Sequence, residues 1–380
     1  MAEPTNDDNP EYWSQYSNLQ HTKHALIRHY LNGWFPKLAL GQWASKRLVY
    51  IDTHAGRGKH LNGQLGSPLV VLTTLLEHQS RDRILQNTEV RFYFIERDEQ
   101  NAAALKKELE AHPLPNNVFV GAGNGSCFEI IDGAIQKSVK DGKQLAPSFV
   151  FVDPYGFKLP GDLLRRLLSF PKVELFVNVI WRELDMAIIL ARSGKQPGMV
   201  ETLNAVFDGD GWKKIDAPDE DHRAEQCAEV FRQMTGARWG TYIKMLDKGR
   251  IRYFLLHLTK HEAGRDLMKE CVWKACPFGG YYASKSDNPA QQLLIEPEPD
   301  LKPLTQWVVA KLSEGPKRWQ DLTNLLRDEL WLEKHLSEVI RVMRKDGEIT
   351  ADGYTGSFAA NKNPRLCLAP KQDTENLLFS

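Results

Sequence analysis

The sequence has no excess of charge of either sign: its 380 residues carry 49 lysines and arginines against 49 aspartates and glutamates. That balance excludes a global field that would advertise nucleic acid, so any basic face must be local. No apolar run reaches the roughly 18 residues of a membrane-spanning helix. The polar, acidic opening from Met1 to Pro10 has no apolar signal core, and a cytoplasmic protein is expected. Cysteine is sparse. Its five copies, Cys127, Cys227, Cys271, Cys276 and Cys367, are dispersed and odd in number, which suits reduced thiols better than a disulfide framework. His257, His261, Cys271 and Cys276 have spacings that zinc accepts. They fall on a strand pattern and near a helix end, however, and no metal is expected.

Two glycine-loop chemistries are also missing. A phosphate-cradling loop wants Gly-x-x-x-x-Gly-Lys-Ser/Thr; here Thr53 stands in place of its first glycine and His60 in place of its hydroxyl. A dinucleotide fingerprint wants a third glycine where Leu61 sits, and Asp52 just before the glycines is a poor neighbour for a pyrophosphate. What is present is a β-forming run, Arg47-Leu48-Val49-Tyr50-Ile51, closed by Asp52 and followed by Thr53-His54-Ala55-Gly56-Arg57-Gly58. The glycines let backbone approach a ligand, and an acid at a strand end can pair an ammonium. S-adenosylmethionine offers that ammonium and has no phosphate to repel. It is the cofactor these residues suit best, with Asp52, Thr53, Ala55, Gly56 and Gly58 as its loop.

Strands and helices alternate on both sides of this loop. From Lys23, apolar residues Leu26, Ile27, Tyr30, Leu31, Trp34, Phe35 and Leu38 recur at helical spacing, with His21, Lys23, His24 and Arg28 expected on the solvated face, the alternative being that they border a ligand. Gly66-Ser67-Pro68 predicts a helix start with Ser67 as N-cap. A second strand, Val90 to Glu96, ends in an acid placed to accept the hydroxyls of a ribose. A short third strand, Val118 to Gly121, is followed by Asn124, expected at the adenine edge. The fourth, Ser148 to Asp153, opens into Asp153-Pro154-Tyr155-Gly156-Phe157. That places a carboxylate, a rigid carbonyl-bearing turn and an aromatic face at the carboxyl edge of the sheet, where open α/β folds bind ligands. The set suits a planar base with an exocyclic amine: carboxylate and carbonyl accept its N–H groups and the ring stacks on it. Asp153, Pro154 and Tyr155 are therefore the candidate catalytic residues.

A fifth strand, Val173 to Ile180, is followed by a helical insertion at about 181–236. A hairpin of Trp239 to Leu246 with Arg250 to Leu258, then a helix from Glu262 to Lys274, completes the domain. The expected fold is an α/β, Rossmann-like domain over residues 21–285 with a seven-stranded, mostly parallel sheet, after a flexible N-terminus over 1–20. This is the class I methyltransferase architecture. Proline-punctuated residues 286–302 predict a linker, and 303–370 predict three short helices and a hairpin, a winged-helix domain, before a tail over 371–380. Its third helix would expose Lys334, His335, Arg341, Arg344 and Lys345 as a local basic face for nucleic acid, RNA or DNA, diluted by Glu333 and Glu338.

Tyr50-Ile51-Asp52-Thr53-His54-Ala55-Gly56-Arg57-Gly58, Phe94-Ile95-Glu96-Arg97-Asp98 and Phe151-Val152-Asp153-Pro154-Tyr155-Gly156-Phe157, in that order, resemble the three-Cys-motif partner protein family. The resemblance runs from about Lys23 to the C-terminal domain. It implies a bacterial methyltransferase-like domain with a winged helix, and a companion protein bearing three clustered cysteines, plausibly an iron-sulfur protein. Asp153-Pro154-Tyr155-Gly156 is also similar to the Asp-Pro-Phe-Gly of transfer-RNA guanine-N2 methyltransferases, and more loosely to the Asp-Pro-Pro-Tyr of amino-methylating DNA enzymes. Both comparisons imply methyl transfer to an exocyclic nitrogen. The alternative is a non-catalytic scaffold that binds nucleic acid or the companion protein.

Overall fold

The computed structural model describes residues 17–42, 44–276, 282–284, 298–356, 358 and 362–370. The chain divides into two compact units that part near residue 295. In the first, helix α1 (Asn18–Leu40) begins at a reciprocal cap: Ser17 Oγ accepts the Gln20 N–H at 3.2 Å, and Gln20 Oε1 accepts the Ser17 N–H at 2.9 Å. Lys23, Ile27, Tyr30 and Trp34, at i, i+4, i+7 and i+11, are all buried, so this stripe lies on the sheet. The helix therefore starts five residues before Lys23, in the segment expected to be flexible; residues 1–16 lie outside the described residues.

The sheet has eight strands in the order β3-β2-β1-β4-β5-β7-β6-β8. They are β1 (Arg47–Asp52), β2 (Glu89–Glu96), β3 (Val118–Asn124), β4 (Ser148–Val152), β5 (Val173–Val179), β6 (Trp239–Asp247), β7 (Arg250–Thr259) and β8 (Tyr282–Ser284). Strands β1 to β5 are parallel, and β7 runs antiparallel between β5 and β6. This is the class I methyltransferase order with one strand added. The sequence predicts seven strands; β8 pairs parallel with β6 and is three residues long, too short to carry a period of its own.

Between the strands run α2 (Ser67–Leu76), α3 (Arg81–Asn87), α4 (Glu99–Glu110), α5 (Cys127–Lys140), α6 (Gly161–Ser169), α7 (Trp181–Arg192), α8 (Pro197–Val206), α9 (Glu220–Thr235) and α10 (Glu262–Ala275). Helices α7 to α9 lie between β5 and β6, where Arg223 clamps Asp185 with two bonds of 2.8 Å. The cap of α2 is Gly66 and not Ser67, whose hydroxyl is committed to Asp52 at 2.7 Å. Asn124 is the last residue of β3, which runs three residues further than predicted.

Under α1 lies a buried acid, Glu174 of β5. It accepts from Trp34 Nε1 at 3.1 Å and from the Tyr30 hydroxyl, and meets His257 Nε2 at 2.9 Å. Burial alone would raise Glu174, but His257, Tyr30 and Trp34 more than offset it and hold the carboxyl below its ordinary value. Gly264 of α10 is needed beside it, because a Cβ there would stand 2.6 Å from Glu174 Oε2. With His257 engaged here, and His261 Nε2 2.6 Å from the Pro171 carbonyl, neither histidine turns toward the cysteines of α10.

The second unit contains α11 (Lys302–Ser313), β9 (Lys317–Arg318), α12 (Trp319–Leu325), α13 (Glu333–Lys345), β10 (Ile349–Thr350) and β11 (Arg365–Leu368). The three strands form an antiparallel sheet in the order β10-β11-β9. Leu304, Val308, Leu322, Leu336, Val339, Ile340 and Leu366 are buried and make the core of this unit. Strand β9 was not expected. Most of the predicted linker, 286–297, and the tail from 371 lie outside the described residues.

Glu174 is the shared acceptor for three buried donors, so replacing it and replacing one donor should differ. Glu174→Ala should cost about 3–5 kcal/mol by urea unfolding, and Tyr30→Phe about 1–2 kcal/mol. Equal losses would mean that the carboxylate is not the hub.

Candidate active site

In a sheet ordered 3-2-1-4-5 the chain reverses direction between β1 and β4, and ligands bind outside the carboxyl ends of those strands. The predicted residues converge there. The loop after β1 is laced to both neighbours: the Thr53 N–H donates to Phe151 O at 3.0 Å, and the Ala55 N–H to Ile95 O at 2.9 Å. Gly56 and Gly58 have φ of 63° and 81°, a left-handed backbone that favours glycine. At Gly58 a Cβ would also stand 2.9 Å from Leu105 Cδ1.

Glu96 braces this loop from β2. Its Oε2 accepts the Gly56 N–H at 2.7 Å and its Oε1 the Asp98 N–H at 2.8 Å. Each oxygen has a second acceptor site, so hydroxyl donors can still be received. Asn124 is exposed beside it, its Nδ2 donating to the Glu96 and Arg97 carbonyls at 3.1 Å each.

Asp52 lies behind the loop and is 0% exposed. Ser67 Oγ donates to one oxygen at 2.7 Å and the His54 N–H to the other at 3.2 Å. Burial, with Asp153 nearby, pushes its carboxyl up to about 7. It thus buttresses the loop from within and does not line an open surface. His54 was not singled out from the sequence. Its Nδ1 is 2.7 Å from Thr53 Oγ1 and its Nε2 3.7 Å from Cys127 Sγ, and its ring meets Phe128 and Tyr155 at 5.6 and 6.3 Å. Burial lowers His54 to about 4 and raises Cys127 to about 12, so both are neutral near pH 7.

Asp153 leaves β4 beside this loop, with Pro154 buried and Tyr155 exposed. Both its oxygens are engaged: Lys23 Nζ is 2.5 Å from Oδ2, and Asn178 Nδ2 donates to Oδ1 at 2.6 Å. Lys23 and His24, expected in solvent, are buried, while His21 and Arg28 are exposed. Position 23 belongs to the inward stripe of α1, and that spacing was the signal available. Burial, with Lys23 adjacent, lowers His24 well below its usual value. Asn178 Oδ1 and the Tyr50 hydroxyl are buried with no partner among the described residues. Glu183 of α7 comes near the Asp153 turn, its Oε2 3.3 Å from where a Cβ at Gly156 would sit.

The basic face of the second unit is narrower than predicted. Lys334, Arg341 and Lys345 of α13 are exposed. His335 is buried: its Nδ1 accepts the Leu332 N–H at 3.2 Å, satisfying a donor at the helix start, and its ring stands edge-on to Trp331 at 5.9 Å. Arg344 turns back to the hairpin connection, donating to Tyr354 O at 2.6 Å and lying 5.1 Å from the Phe358 ring centroid.

Because Asp52 keeps its proton up to about pH 7 in the fold and only to about 3.9 in the unfolded chain, its contribution to stability falls as pH rises between those values. Asp52→Asn removes that penalty. By urea unfolding, the variant's stability relative to wild type should therefore grow between pH 4.5 and 7.5, by about 3 kcal/mol. A constant difference would show that Asp52 ionises as easily inside the fold as in water.

No protein-family model matches the sequence, and no curated protein matches it. Among solved structures, the chain is distantly similar to the O-methyltransferase from Bacillus cereus in complex with SAH. That match has 10% identity over 68% of this chain and 93% of that one, with a TM-score of 0.33. A second is the O-methyltransferase TomG from Streptomyces achromogenes in complex with SAM, at 14% identity over 67% and 99% with a TM-score of 0.31. A third is the METTL16 methyltransferase domain, at 14% over 60% and 65% with a TM-score of 0.31. Likenesses this remote decide nothing about cofactor or acceptor, and the fold assignment rests on the strand order itself.

Proposed function

We propose that this chain is an S-adenosylmethionine-dependent methyltransferase acting on an exocyclic amino group of a nucleic-acid base. The observation that carries this reading is the left-handed Gly56/Gly58 loop, braced by Glu96 and backed by Asp52, with Asp153-Pro154-Tyr155 on the adjacent strand. The loop, buttressed from behind by Asp52, would hold the methionine end, Glu96 the ribose and Asn124 the adenine. Methyl transfer is an in-line displacement at a sulfonium, in which the protein mainly positions donor and acceptor. Asp153 would hold the acceptor amine with its lone pair aimed at the methyl, and Tyr155 would stack the base.

We further infer that the second unit is a winged helix, with Lys334, Arg341 and Lys345 as its contact to nucleic acid. The resemblance to the three-Cys-motif partner family adds a companion iron-sulfur protein to this reading. One observation favours the rival, a methyltransferase-like scaffold: both oxygens of Asp153 already accept, from Lys23 and Asn178. A carboxylate has about four acceptor sites, so an amine can still join.

Calorimetric titration with S-adenosylmethionine should show micromolar binding, weakened at least about tenfold in Glu96→Ala, which strands the Gly56 N–H. Absence of binding at millimolar cofactor would overturn the reading. Labelled-methyl transfer to RNA and DNA pools should be lost in Asp153→Asn while cofactor affinity stays within about twofold, both read below the variant's unfolding temperature because the change leaves the buried Lys23 ammonium without its counter-charge. Parallel loss of binding and transfer would refute the division of roles. Tight cofactor binding with no transfer by wild type would favour the scaffold.

A further inference from the structure

At its β3 side the sheet leaves one face partly uncovered: α5 packs over Ile95 and reaches Gly123 with Ile130, and the strands before those two positions stay open. On β2 and β3 one parity, Val90, Phe92, Phe94 and Val118, is buried, whereas the other brings out Arg91, Tyr93 and Phe119. Parallel register sets Arg91 beside Phe119 and Tyr93 beside Gly121, so the two rings rise from neighbouring strands on a common face. Tyr93 is 39% and Phe119 45% exposed. Gly121 lets the Tyr93 ring lie against the strand: a Cβ there would stand 3.2 Å from ring Cδ1 and 3.5 Å from Cε1. The Arg91 guanidinium is 5.1 Å from the Phe119 ring centroid and donates to the Tyr93 hydroxyl at 3.3 Å. Arg47 and Arg91 share the single Glu89 carboxylate, which leaves one positive charge of this group uncancelled.

We propose that this β2–β3 face is a stacking platform for single-stranded nucleic acid. Unpaired bases stack on exposed aromatic rings and on guanidinium planes, while arginines take the phosphates. A duplex offers no free base faces to such a surface. The exposed apolar groups on these strands are flat rings paired with a cation, and the aliphatic neighbour at their edge is Ile130 of α5. The platform lies on the strands that end in Glu96 and Asn124. Tyr93 precedes Glu96 by three residues, about 10 Å of strand, so a chain held here lies close to the candidate active site and would reach it past the start of α5, which covers Ile95. The proposal shares with the functional reading only the class of the acceptor; it requires no methyl transfer.

The test is fluorescence anisotropy of the full chain with labelled 12-nucleotide RNA and DNA single strands and the matching duplexes. Wild type is compared with Tyr93→Ser, Phe119→Ser and the double variant, and each sample is also titrated with S-adenosylmethionine. Single strands should bind better than duplex, and each ring removed should weaken them about tenfold. Photo-cross-linking of a 5-iodouridine strand should mark Tyr93 or Phe119. Unchanged affinity in the double variant, equal loss of duplex and single strand, cross-links confined to residues 298–370, or no single-strand binding would each overturn the platform. The last result is the one a face built for a protein partner would give. Both substitutions lie on the surface, so cofactor titration of the double variant separates a failed platform from a failed cofactor site.

Discussion

Helix α1 is bound to the sheet through one buried carboxylate, Glu174, and one half-buried, Asp153, and the geometry of the candidate active site depends on that attachment. Lys23 meets Asp153 at one end, and two turns on Tyr30 and Trp34 meet Glu174. Taking charged groups out of water is costly unless every one is paired. An apolar stripe alone would allow the helix to slide or rotate by a few degrees with little penalty. The two acid clusters fix its register, because any shift strands a buried charge. Asp153 is therefore not a loop acid free to wander. It is held from α1 by Lys23 and from β5 by Asn178, and the turn through Pro154 to Tyr155 inherits that rigidity.

The loop after β1 is restrained by the same kind of logic applied to backbone. Two left-handed glycines would leave a flexible link, but Thr53, Ala55 and Gly56 each give their N–H to a neighbouring strand. Glu96 is central here, since one carboxylate ties the loop to the start of the next crossover. A ligand meeting this edge finds donors and acceptors already in place, which lowers the ordering cost of binding.

The strand ends were legible in the sequence because their signals are local. A β-forming run closed by an acid at Asp52, Glu96 or Asp153 places itself at the carboxyl edge of a parallel sheet. What escaped depends on partners distant in the chain. Ser67 has every local mark of an N-cap, yet it serves Asp52, fifteen residues earlier. Lys23 was assigned to solvent by its charge, although its position fits the buried stripe; periodicity was the better guide than residue type. His335 shows the reverse, a titratable side chain on a basic helix drawn inward to satisfy a helix-start N–H. Strands β8 and β9, of three and two residues, have no period to detect.

Local charge gives a further reason to prefer a cationic ligand at this edge. Asp52, Glu96 and Asp153 are gathered at the switch point, against the buried Lys23 paired with Asp153 and the half-buried Arg57 within the loop. His54 and His24 are held neutral by burial and do not offset the excess. Asp52 registers the imbalance directly: its proton is retained to about pH 7 because ionisation would place another negative charge in a dry site facing Asp153. A phosphate brought here would meet that repulsion at short range, where low dielectric magnifies it. An ammonium or sulfonium would relieve it and allow Asp52 to ionise. The chain's neutral overall charge thus conceals a local field that selects against the ligands of the two glycine-loop folds it superficially resembles.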